Sequence, residues 1–476
     1  MRRRGVSWFL LLIASGACVL GQPARGRQLN SPAPNSDRSA LETFNVAVPA
    51  HPFDLVLVRP EATAITLSVV AYAEREGFVA YGTEPNACTA QTPLRHFARG
   101  EPVSVVLAGL KSDTRYFYQF RSRVPGAGEF ASTPEASFHT ARPAGATFMF
   151  TLTADAHLDG HTSADVYRQT LANIASEAPD FHLDLGNLFM TDKHATREEA
   201  AAQYLAQRYY LGLIGASSPV LLALGTHDGE SAKDDDGTDA SLAAWSHRLR
   251  TRLFPNPVPD DFYSANATPN ASRGLRQNYY AFTWADALFV VLDPFANSAR
   301  TRGSRDGWAW SLGLEQYRWL ERTLRESRAT FKFVFIHNLL CGDAAARGGV
   351  EVAMLNEWGG KNADGTDGFA QHRPGWAEPV HALLVRHHVA AVFKAHDNFY
   401  ARQERDGIVY LMVPQPSFAG NDRIRDLENY GYQRGVFLGN SGHVRVTVSP
   451  GEAAIAYVKS SAAMEIADRS RVVAPR

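Results

Sequence analysis

The sequence predicts an α/β protein with two folded domains, an N-terminal β-sandwich followed by a larger domain of alternating strands and helices. The chain has 476 residues, which is too long for one compact hydrophobic core. Short β-like runs separated by turn residues fill the first part, whereas apolar strands alternate with helical stretches further on. Hydrophobic residues make up 45% and charged residues 20% of the chain, as is usual for a globular protein.

Residues 1–21 have the pattern of a secretory signal peptide. Arg2, Arg3 and Arg4 form a basic head, and the apolar stretch from Val6 to Leu20 is too short to span a membrane comfortably. Small residues favour cleavage before Gln22. Lipidation of Cys18 is an alternative, although the residue three positions before it is not the usual Leu. We therefore expect a secreted or periplasmic protein with no membrane segment beyond the signal.

A polar linker over residues 22–42 leads into the predicted sandwich, residues 43–142. Its strands include Phe53–Val58 and the apolar run from Thr63 to Val70, and turn residues separate such runs. The segment from Leu110 to Tyr116 resembles the corner of fibronectin type III-like domains, in which Tyr116 would be the corner tyrosine. An ordinary core position for Tyr116 is the alternative.

Residues 143–460 are predicted to form the α/β domain. Helices are expected from Ser163 to Ala175, near Arg197 to Leu213, from Gly313 to Arg325 and from Trp376 to Arg386. The stretch from Ser231 to Asn278 is rich in loop residues. Residues 461–476 are polar and are predicted to be a frayed tail.

Charge and cysteine content exclude some classes of partner. The net charge is −1, so the composition indicates no attraction to nucleic acid or to anionic membranes. Cys88 and Cys341 remain after removal of the signal, and they could pair in an oxidising compartment. Because they fall in different predicted domains, two free buried thiols is the interpretation that we favour.

Polar residues follow five apolar strands in the predicted α/β domain. In open α/β sheets, ligands collect beyond the carboxyl ends of the strands, so all of these segments point to one site. Each polar residue alone is more simply a loop or capping residue, but five such segments in one order rarely coincide. The segments are Ala154-Asp155-Ala156-His157, Leu185-Gly186-Asn187, Gly225-Thr226-His227-Asp228, Phe335-Ile336-His337-Asn338 and Ala395-His396-Asp397-Asn398.

The order of these segments resembles that of the metallophosphoesterases, whose pattern is D-x-H, G-D, G-N-H-[DE], H and G-H-x-H. Among the metallophosphoesterases, the chain is similar to the calcineurin-like phosphoesterases. It is similar in particular to the secreted bacterial group of these enzymes that resembles purple acid phosphatases. Stretches such as Tyr204–Tyr210 and Ala346–Glu351 add to the similarity. The resemblance implies a hydrolase of phosphate esters. Its fold would be a fibronectin type III-like β-sandwich followed by a four-layer α/β/β/α metallophosphoesterase domain.

The resemblance also implies roles for the residues of the five segments. Such enzymes hold two metal ions about 3.5–4 Å apart, which activate a hydroxide and clamp the phosphate. His227 matches the histidine that assists the departing oxygen, and Asp228 lies beside it, so both are candidate catalytic residues. The metal-ligand positions are Asp155, His157, Asn187, Thr226, His337, His396 and Asn398.

Three of these positions depart from the family pattern. Asn187 stands where the bridging Asp belongs, Thr226 replaces the ligating Asn, and Asn398 replaces the final His. An amide brings no charge to offset two dications, and an amide in place of an imidazole is a poor ligand for Zn. Each metal would keep two protein ligands of four, whereas Zn sites usually need at least three. We therefore expect Fe, Mn or Zn to bind weakly, with fewer than two ions per chain.

Neighbouring carboxylates could compensate, and Asp184, Asp397, Asp159 and Asp192 are the candidates. Two functions stay open at this point. The chain is either a phosphatase or phosphodiesterase of weakened activity, acting on a phosphate-ester small molecule or a phosphorylated substrate, or a catalytically inactive pseudo-phosphatase that acts as a secreted binding protein.

Overall fold

The computed structural model describes residues 43–474 except 272, 299–305, 343–344, 421 and 425–426. The predicted signal peptide and linker lie outside the described residues. Residues 53–139 form a β-sandwich, with one sheet in the order β1-β2-β6 and a second built on β4-β3-β7-β8, in which β5 pairs with β3 and β9 with β7. The strands are β1 (Phe53–Val58), β2 (Ala64–Ala71), β3 (Arg75–Gly82), β4 (Ala90–Gln91), β5 (Arg95–Phe97), β6 (Pro102–Ala108), β7 (Arg115–Arg123), β8 (Ala131–Ser132) and β9 (Ala136–His139).

Tyr116 makes the contact expected of a corner tyrosine. Its hydroxyl accepts a hydrogen bond of 2.9 Å from the backbone N–H of Lys111, while its ring is buried against Phe138. The ring fills the sandwich core and the hydroxyl closes the turn before β7. This confirms the predicted corner contact, and Tyr116 fills the core as well.

Two sheets that face each other form the centre of the rest of the described chain. The first has the order β12-β11-β10-β23-β24-β25 and the second the order β13-β16-β17-β18-β19-β21-β20-β22, with β14 and β15 as a separate hairpin. The strands are β10 (Phe148–Thr153), β11 (Phe181–Asp184), β12 (Val220–Leu222), β13 (Ser264–Ala265), β14 (Pro269–Asn270), β15 (Gly274–Leu275), β16 (Tyr280–Trp284), β17 (Ala287–Val291), β18 (Phe331–Phe335), β19 (Ala391–Lys394), β20 (Tyr400–Arg405), β21 (Ile408–Met412), β22 (Val436–Leu438), β23 (Gly442–Val448), β24 (Glu452–Lys459) and β25 (Ile466–Val473).

Aromatic side chains fill the space between the two sheets. Phe150 of the first sheet lies edge-on to Phe289 of the second at 5.0 Å, and Phe289 stacks on Phe335 at 5.8 Å. These side chains are fully buried, so strands that are far apart in sequence are held at fixed offsets.

Helices cover the outer faces and complete the α/β/β/α layers. The first two pack on the outer face of the first sheet and also on Val56 and Val58 of the sandwich. The fourth and seventh pack on the second sheet. The helices are α1 (Ala164–Glu177), α2 (Arg197–Gly215), α3 (Leu242–Leu253), α4 (Gly313–Glu326), α5 (Asn356–Gly359), α6 (Phe369–His372) and α7 (Val380–Arg386).

Four sequence expectations need correction. The polar C-terminal stretch is not a frayed tail, because β25 pairs with β24 along most of its length. Its exposed side chains alternate with half-buried ones, so the polar pattern is that of an edge strand.

The loop-rich region from Ser231 to Asn278 contains α3, whose Ser241 caps the first turn. Helix α7 begins at Val380 and not at Trp376, where the sequence predicted its start. Both cysteines are free, but Cys88 is only half-buried, while Cys341 is buried. Among the described residues, no helix has the length and hydropathy needed to cross a membrane.

A buried ion network anchors the loop that follows β12. Glu230 receives hydrogen bonds from Arg250 at 2.5 and 3.0 Å, and His247 lies 3.2 Å from its second oxygen. Burial opposes ionisation of Glu230, but Arg250 and His247 outweigh that effect and lower its pKa to about 2. The loop carrying Thr226, His227 and Asp228 is therefore tied to α3 by charge.

We predict that Glu230→Gln lowers the free energy of unfolding by on the order of 3 kcal/mol at pH 7, because Arg250 then keeps a buried charge without its partner. A lowered pKa stabilises the fold above the unfolded value of 4.5 and ceases to do so as pH falls toward about 2. Urea unfolding at a series of pH values measures this. The gap between native chain and variant should be full above about pH 5 and shrink below pH 4.

Glu404→Gln on the exposed face of β20 is the matched control, and it should change stability by less than about 0.5 kcal/mol. A Glu230→Gln variant as stable as this control would show that the ion network does not hold the loop.

Candidate functional site

The five polar segments follow five parallel strands that belong to two different sheets. Strands β10, β11 and β12 are parallel neighbours in the first sheet, and β18 and β19 are parallel neighbours in the second. Because the sheets pack face to face, the carboxyl ends of all five strands open into one region. The structure therefore brings together side chains from both sheets, as the sequence predicted from the strand-end rule alone.

The backbone of these segments is repeatedly in the left-handed region. Such conformations are uncommon outside glycine and cluster at functional sites, where the surrounding structure enforces them. They aim consecutive side chains in directions that a regular strand does not allow. The residues are Asp155 (φ 59°), His157 (φ 30°), Asn187 (φ 56°), His396 (φ 84°) and Asn398 (φ 60°).

Two glycines permit the loops after β11 and β12 to touch. Gly186 has a φ of 94°, and a Cβ there would lie 2.3 Å from the nitrogen of Gly225. A Cβ on Gly225 would in turn lie 2.0 Å from the nitrogen of Asn187. Any side chain at either position would push Asn187 away from the site, so both glycines are required by sterics.

Asp155 is the centre of the site and is completely buried. Its Oδ2 accepts a 3.0 Å hydrogen bond from the backbone N–H of His396. Its Oδ1 lies 3.3 Å from Nε2 of His157 and 3.9 Å from Nε2 of His337. Gln415 donates to the backbone carbonyl of Asp155 at 2.8 Å. One carboxylate thus joins the segments that follow β10, β18 and β19.

Asn187 presents its amide nitrogen to this carboxylate. Its Nδ2 donates to Oδ1 of Asp155 at 3.0 Å, and its Oδ1 accepts from the backbone N–H of His227 at 2.9 Å. A backbone N–H can only donate, so the second contact fixes which end of the amide is the oxygen. The group that faces Asp155 is therefore a hydrogen-bond donor, which repels a metal cation.

Short-range contacts set the charge states of His157 and Asp155. Burial favours neutral His157, but its hydrogen bonds to Asp155 and Asp159 outweigh burial and raise its pKa to about 9. Burial also opposes the charge of Asp155, and His337 and His157 lower its pKa well below the usual range. An imidazolium and an amide N–H₂ thus balance the buried carboxylate.

His337 and His396 differ in how much of the ring is engaged. His337 is fully buried, and its Nδ1 lies 2.7 Å from the carbonyl of Leu185, while its Nε2 has no hydrogen-bond partner among the described residues. His396 contacts the carbonyl of Ala345 through Nε2 at 2.7 Å and Oγ1 of Thr226 through Nδ1 at 3.4 Å. Burial, Arg347 and His337 keep the pKa of His396 well below its ordinary value. Its Nδ1 is therefore an acceptor for the Thr226 hydroxyl.

His227 faces an acidic partner at the rim of the site. Its Nδ1 lies 2.9 Å from Oδ1 of Asp192, and Lys233 donates to Oδ2 of the same carboxylate at 2.7 Å. Asp192 was considered only as a replacement ligand, but here it orients His227. Asn187 links the backbone N–H of His227, and not its ring, to the Asp155 carboxylate.

Asp228 is a structural anchor in this geometry. Its Oδ2 accepts from the backbone N–H of Gly225 at 2.7 Å and of Asn187 at 3.0 Å, and its Oδ1 accepts from Phe189 at 2.9 Å. These bonds hold the loops after β11 and β12 together. Both carboxylate oxygens are engaged by backbone, and the side chain is almost fully buried.

Asp184 and Asp397, two candidate replacements for a carboxylate at position 187, bind other partners. Asp184 accepts from Thr153 at 2.7 Å and from the N–H of Gly186 at 2.9 Å, and burial raises its pKa well above the ordinary value. Asp397 binds Lys394 at 3.0 Å and the hydroxyl of Tyr432 at 2.7 Å. Neither side chain replaces the carboxylate that is absent at position 187.

A pocket of about 270 Å³ opens beside Asp155. His157, Asp159 and Asn398 line it on the side of the site, so the pocket and the site are continuous. Sequence reasoning missed the arginines of its wall, Arg347 and Arg423, because an isolated arginine in a loop carries no signal of its own. Arg347 lies in the stretch Ala346–Glu351 that contributes to the family resemblance.

Comparison with known proteins supports the fold. The sequence matches no family model and no curated protein. Among solved structures, PhoD is 14% identical, with 90% of this chain and 91% of that one covered and a TM-score of 0.62. Purple acid phosphatase PPD1 from yellow lupin (Lupinus luteus) seeds is 13% identical, with 89% and 74% covered and a TM-score of 0.60. The chain therefore has a metallophosphoesterase-like fold with an N-terminal β-sandwich.

The residues present do not fit a pair of metal ions. In the described part of the chain, no group of three or more His, Cys, Asp or Glu side chains is arranged to hold a metal. The amide N–H₂ of Asn187, which cannot ligate a cation, faces the Asp155 carboxylate.

We predict that Asn187→Asp destabilises the metal-free chain, because two buried carboxylates would then lie about 3 Å apart without a cation between them. The midpoint of thermal unfolding should fall by several degrees. Added Mn²⁺ or Zn²⁺ should restore more stability to the variant than to the native chain. Differential scanning calorimetry with and without metal measures both effects.

Asn187→Ala serves as the control, because it removes the amide without adding charge. A variant Asn187→Asp that melts no lower than Asn187→Ala in chelator, and gains nothing from metal, would contradict this account of the Asp155 environment.

Proposed function

We propose that this chain is a pseudo-phosphatase, a binding protein that keeps the fold and pocket of a metallophosphoesterase without a binuclear metal centre. The observation that carries the proposal is the Asn187 amide, whose oxygen is held by the His227 N–H and whose nitrogen faces Asp155. Its ligand would be a phosphate ester or a similar anion bound in the pocket beside His157.

Electrostatics supports this choice over an efficient binuclear enzyme. Two unit charges 4 Å apart repel by about 1 kcal/mol even in bulk water, and two dications repel about four times as strongly. A bridging carboxylate offsets that repulsion, whereas the Asn187 side chain brings no charge. The imidazolium of His157 already offsets the charge of Asp155, whose Oδ1 lies 3.3 Å from its Nε2.

A phosphoesterase with one metal ion is a second candidate, and His337 is the observation that favours it. Its Nε2 is buried without a partner while Leu185 orients the other ring nitrogen, as is typical of metal-ligating histidines. Asp155, His157 and His337 would become its ligands only after moving closer together, because the described structure does not hold them as a ready-made metal site. The 3.3 Å separation of Asp155 and His157 suits two ligands of one tetrahedral ion, whereas the 3.9 Å separation to His337 is longer. The ion would be Zn, Fe or Mn, and it would act as a Lewis acid.

We predict less than one tightly held metal ion per chain and no hydrolysis of an aryl phosphate above the background rate. Elemental analysis after dialysis against chelator, and assays with added Mn²⁺, Fe³⁺ or Zn²⁺, measure these quantities. One ion per chain together with slow hydrolysis would favour the second candidate. Two ions per chain and rapid turnover would refute the pseudo-phosphatase.

Restoring the family pattern is the complementary experiment. The triple change Asn187→Asp, Thr226→Asn and Asn398→His should raise both metal content and hydrolysis, and far more than the single changes combined, because ligands act as one unit. The same triple variant carrying His337→Ala is the control and should lose the gain.

We also propose that the chain is exported, on the basis of the basic head and apolar stretch before Gln22. Mass spectrometry of the protein made in its own host should give a mature chain that begins near Gln22. An intact Met1 on the accumulated protein would contradict this.

A further inference from the structure

We infer that four hydrogen-bonded side chains on the first sheet form a pH-sensitive switch, which holds one proton at neutral pH and releases it in alkaline solution. The four are Asp184, Thr153, His182 and Thr151, and we call them the Asp184 relay. Asp184 ends β11 and fixes the turn that leads to Asn187, so the proton of the relay is linked to the shape of the site. The inference goes beyond the proposed function, because it concerns groups that contact neither a ligand nor a metal ion.

The Asp184 relay lies on the outer face of the first sheet. Side chains of a strand alternate between its two faces, and the apolar residues of β10 and β11 fill the core between the two sheets. The polar residues between them therefore point to the outer face. Thr151 is in register with His182, and Thr153 is in register with Asp184. All four residues are fully buried, so water does not compete for their hydrogen bonds.

One continuous series of hydrogen bonds joins the four side chains. Oδ2 of Asp184 lies 2.7 Å from Oγ1 of Thr153. The same hydroxyl lies 2.9 Å from Nε2 of His182, whose Nδ1 lies 2.9 Å from Oγ1 of Thr151. A hydroxyl both donates and accepts, and a neutral imidazole donates from one nitrogen and accepts at the other. The series is therefore able to run in either of two directions.

The proton on Asp184 decides which direction the series takes. A neutral Asp184 donates its O–H to Thr153, which donates to Nε2 of His182, so the ring carries its proton on Nδ1. An ionised Asp184 instead accepts from Thr153, which then accepts from the Nε2–H of His182. Loss of one proton thus reverses the series and changes the tautomer of His182.

Asp184 has the surroundings of a carboxyl group that keeps its proton. In the described part of the chain it forms no ion pair, and its other hydrogen bond comes from the N–H of Gly186 at 2.9 Å. Burial raises the pKa of Asp184 well above its ordinary value, and the carboxylates of Asp228 and Asp155 raise it further. The hydrogen bonds from Thr153 and Gly186 favour the ionised form but do not outweigh burial. A fully buried acid without a cationic partner stays neutral.

The ionisable groups around the relay bring no counter-charge to Asp184. Burial and the nearby His443 lower the pKa of His182 to about 3, so its ring is neutral. Glu177 of α1 engages both charged groups of β23, because it accepts from Arg445 at 2.8 Å and lies 2.9 Å from Nε2 of His443. Burial raises the pKa of Tyr167 on α1 well above its ordinary value, so this phenol is neutral too.

Asp184 is built into the turn that carries Asn187. Its Oδ1 accepts from the N–H of Gly186, and the carbonyl of Gly186 accepts from the N–H of Asp155 at 2.9 Å. The backbone of Gly186 is thus held between the relay and the centre of the site. An ionised Asp184 would add a second buried negative charge near Asp155, which is costly without a cation. We therefore expect the turn to move when the proton leaves.

The first test is ¹⁵N NMR of the histidine rings of the full chain in chelator, with His182→Gln identifying the signals of His182. At pH 7 we expect the proton on Nδ1, and a change to Nε2 as the pH is raised. Asp184→Asn should keep the Nδ1 form at every pH, because its amide donates to Thr153 as a neutral acid does. A proton on Nε2 at pH 7, or no change before the chain unfolds in alkali, would overturn the inference.

The second test counts the protons released on unfolding. Carboxyl groups of unfolded chains ionise near pH 4, so Asp184 should lose its proton when guanidinium unfolds the unbuffered chain at pH 6.5. The native chain should then release about one proton more than Asp184→Asn. Asp468→Asn on β25 is the matched control. Asp468 is paired with Arg402 at 2.6 Å and is ionised in both states, so this variant should release as many protons as the native chain.

Equal proton release from the native chain and Asp184→Asn would show that Asp184 is already ionised in the fold, which overturns the inference. If Asp184→Asn does not fold, the ring signals of the native chain still decide the question.

The link to the site has its own readout. The backbone amide signals of Gly186 and Asn187 should shift in the native chain with the same midpoint as the His182 ring, and they should not shift in Asp184→Asn. Amide signals that stay in place while the ring changes would show that the proton does not reach the site, and the switch would be refuted. Metal content and hydrolysis, which decide the proposed function, enter none of these measurements, so the two fail separately.

Discussion

The face-to-face packing of two aromatic-rich sheet surfaces determines where everything else in the α/β domain lies. Phe150 contacts Phe289 and, at 6.3 Å between ring centres, Phe393, so the strand before Asp155 is fixed against the strand before His396. In an interior packed this densely, side chains have little room to move, so the position of one strand fixes the positions of its neighbours. The meeting of five strand ends from two sheets follows from this core and not from attraction between the polar residues themselves.

Within this fold, hydrogen bonds from protein groups stabilise the buried carboxylate of Asp155. Asp155 has no access to water and receives hydrogen bonds from the N–H of His396 and the amide of Asn187, with His157 close by. Unpaired, such a charge would cost several kcal/mol. Asn187 brings a hydrogen-bond donor and no charge to Asp155. Among the described carboxylates nearby, Asp184 and Asp397 are tied to other partners.

The left-handed backbone at the strand ends is a costly feature of this site. Asn187 and His396 hold conformations that cost about 1–3 kcal/mol each. The Asp228 carboxylate and the two close glycines, Gly186 and Gly225, maintain the loops that carry them. Backbone strain that clusters around one pocket is typical of functional sites.

Sequence alone predicted a β-sandwich followed by α/β layers, the tyrosine corner at Tyr116 and the convergence of Asp155, His157, His337 and His396. These follow from strand periodicity and from the rule that ligands gather at strand ends, which are local properties of the chain. It also identified Asn187 as a position of interest, and the Asn187 amide contacts Asp155. Only the tertiary structure showed that the strands belong to two sheets, because periodicity does not reveal which strands pair. Only the structure showed which end of the Asn187 amide faces Asp155, since that depends on the N–H of His227, 40 residues away. The polar repeat of β25 predicts a tail for the same reason: an edge strand and a solvated tail differ in their partner and not in their composition.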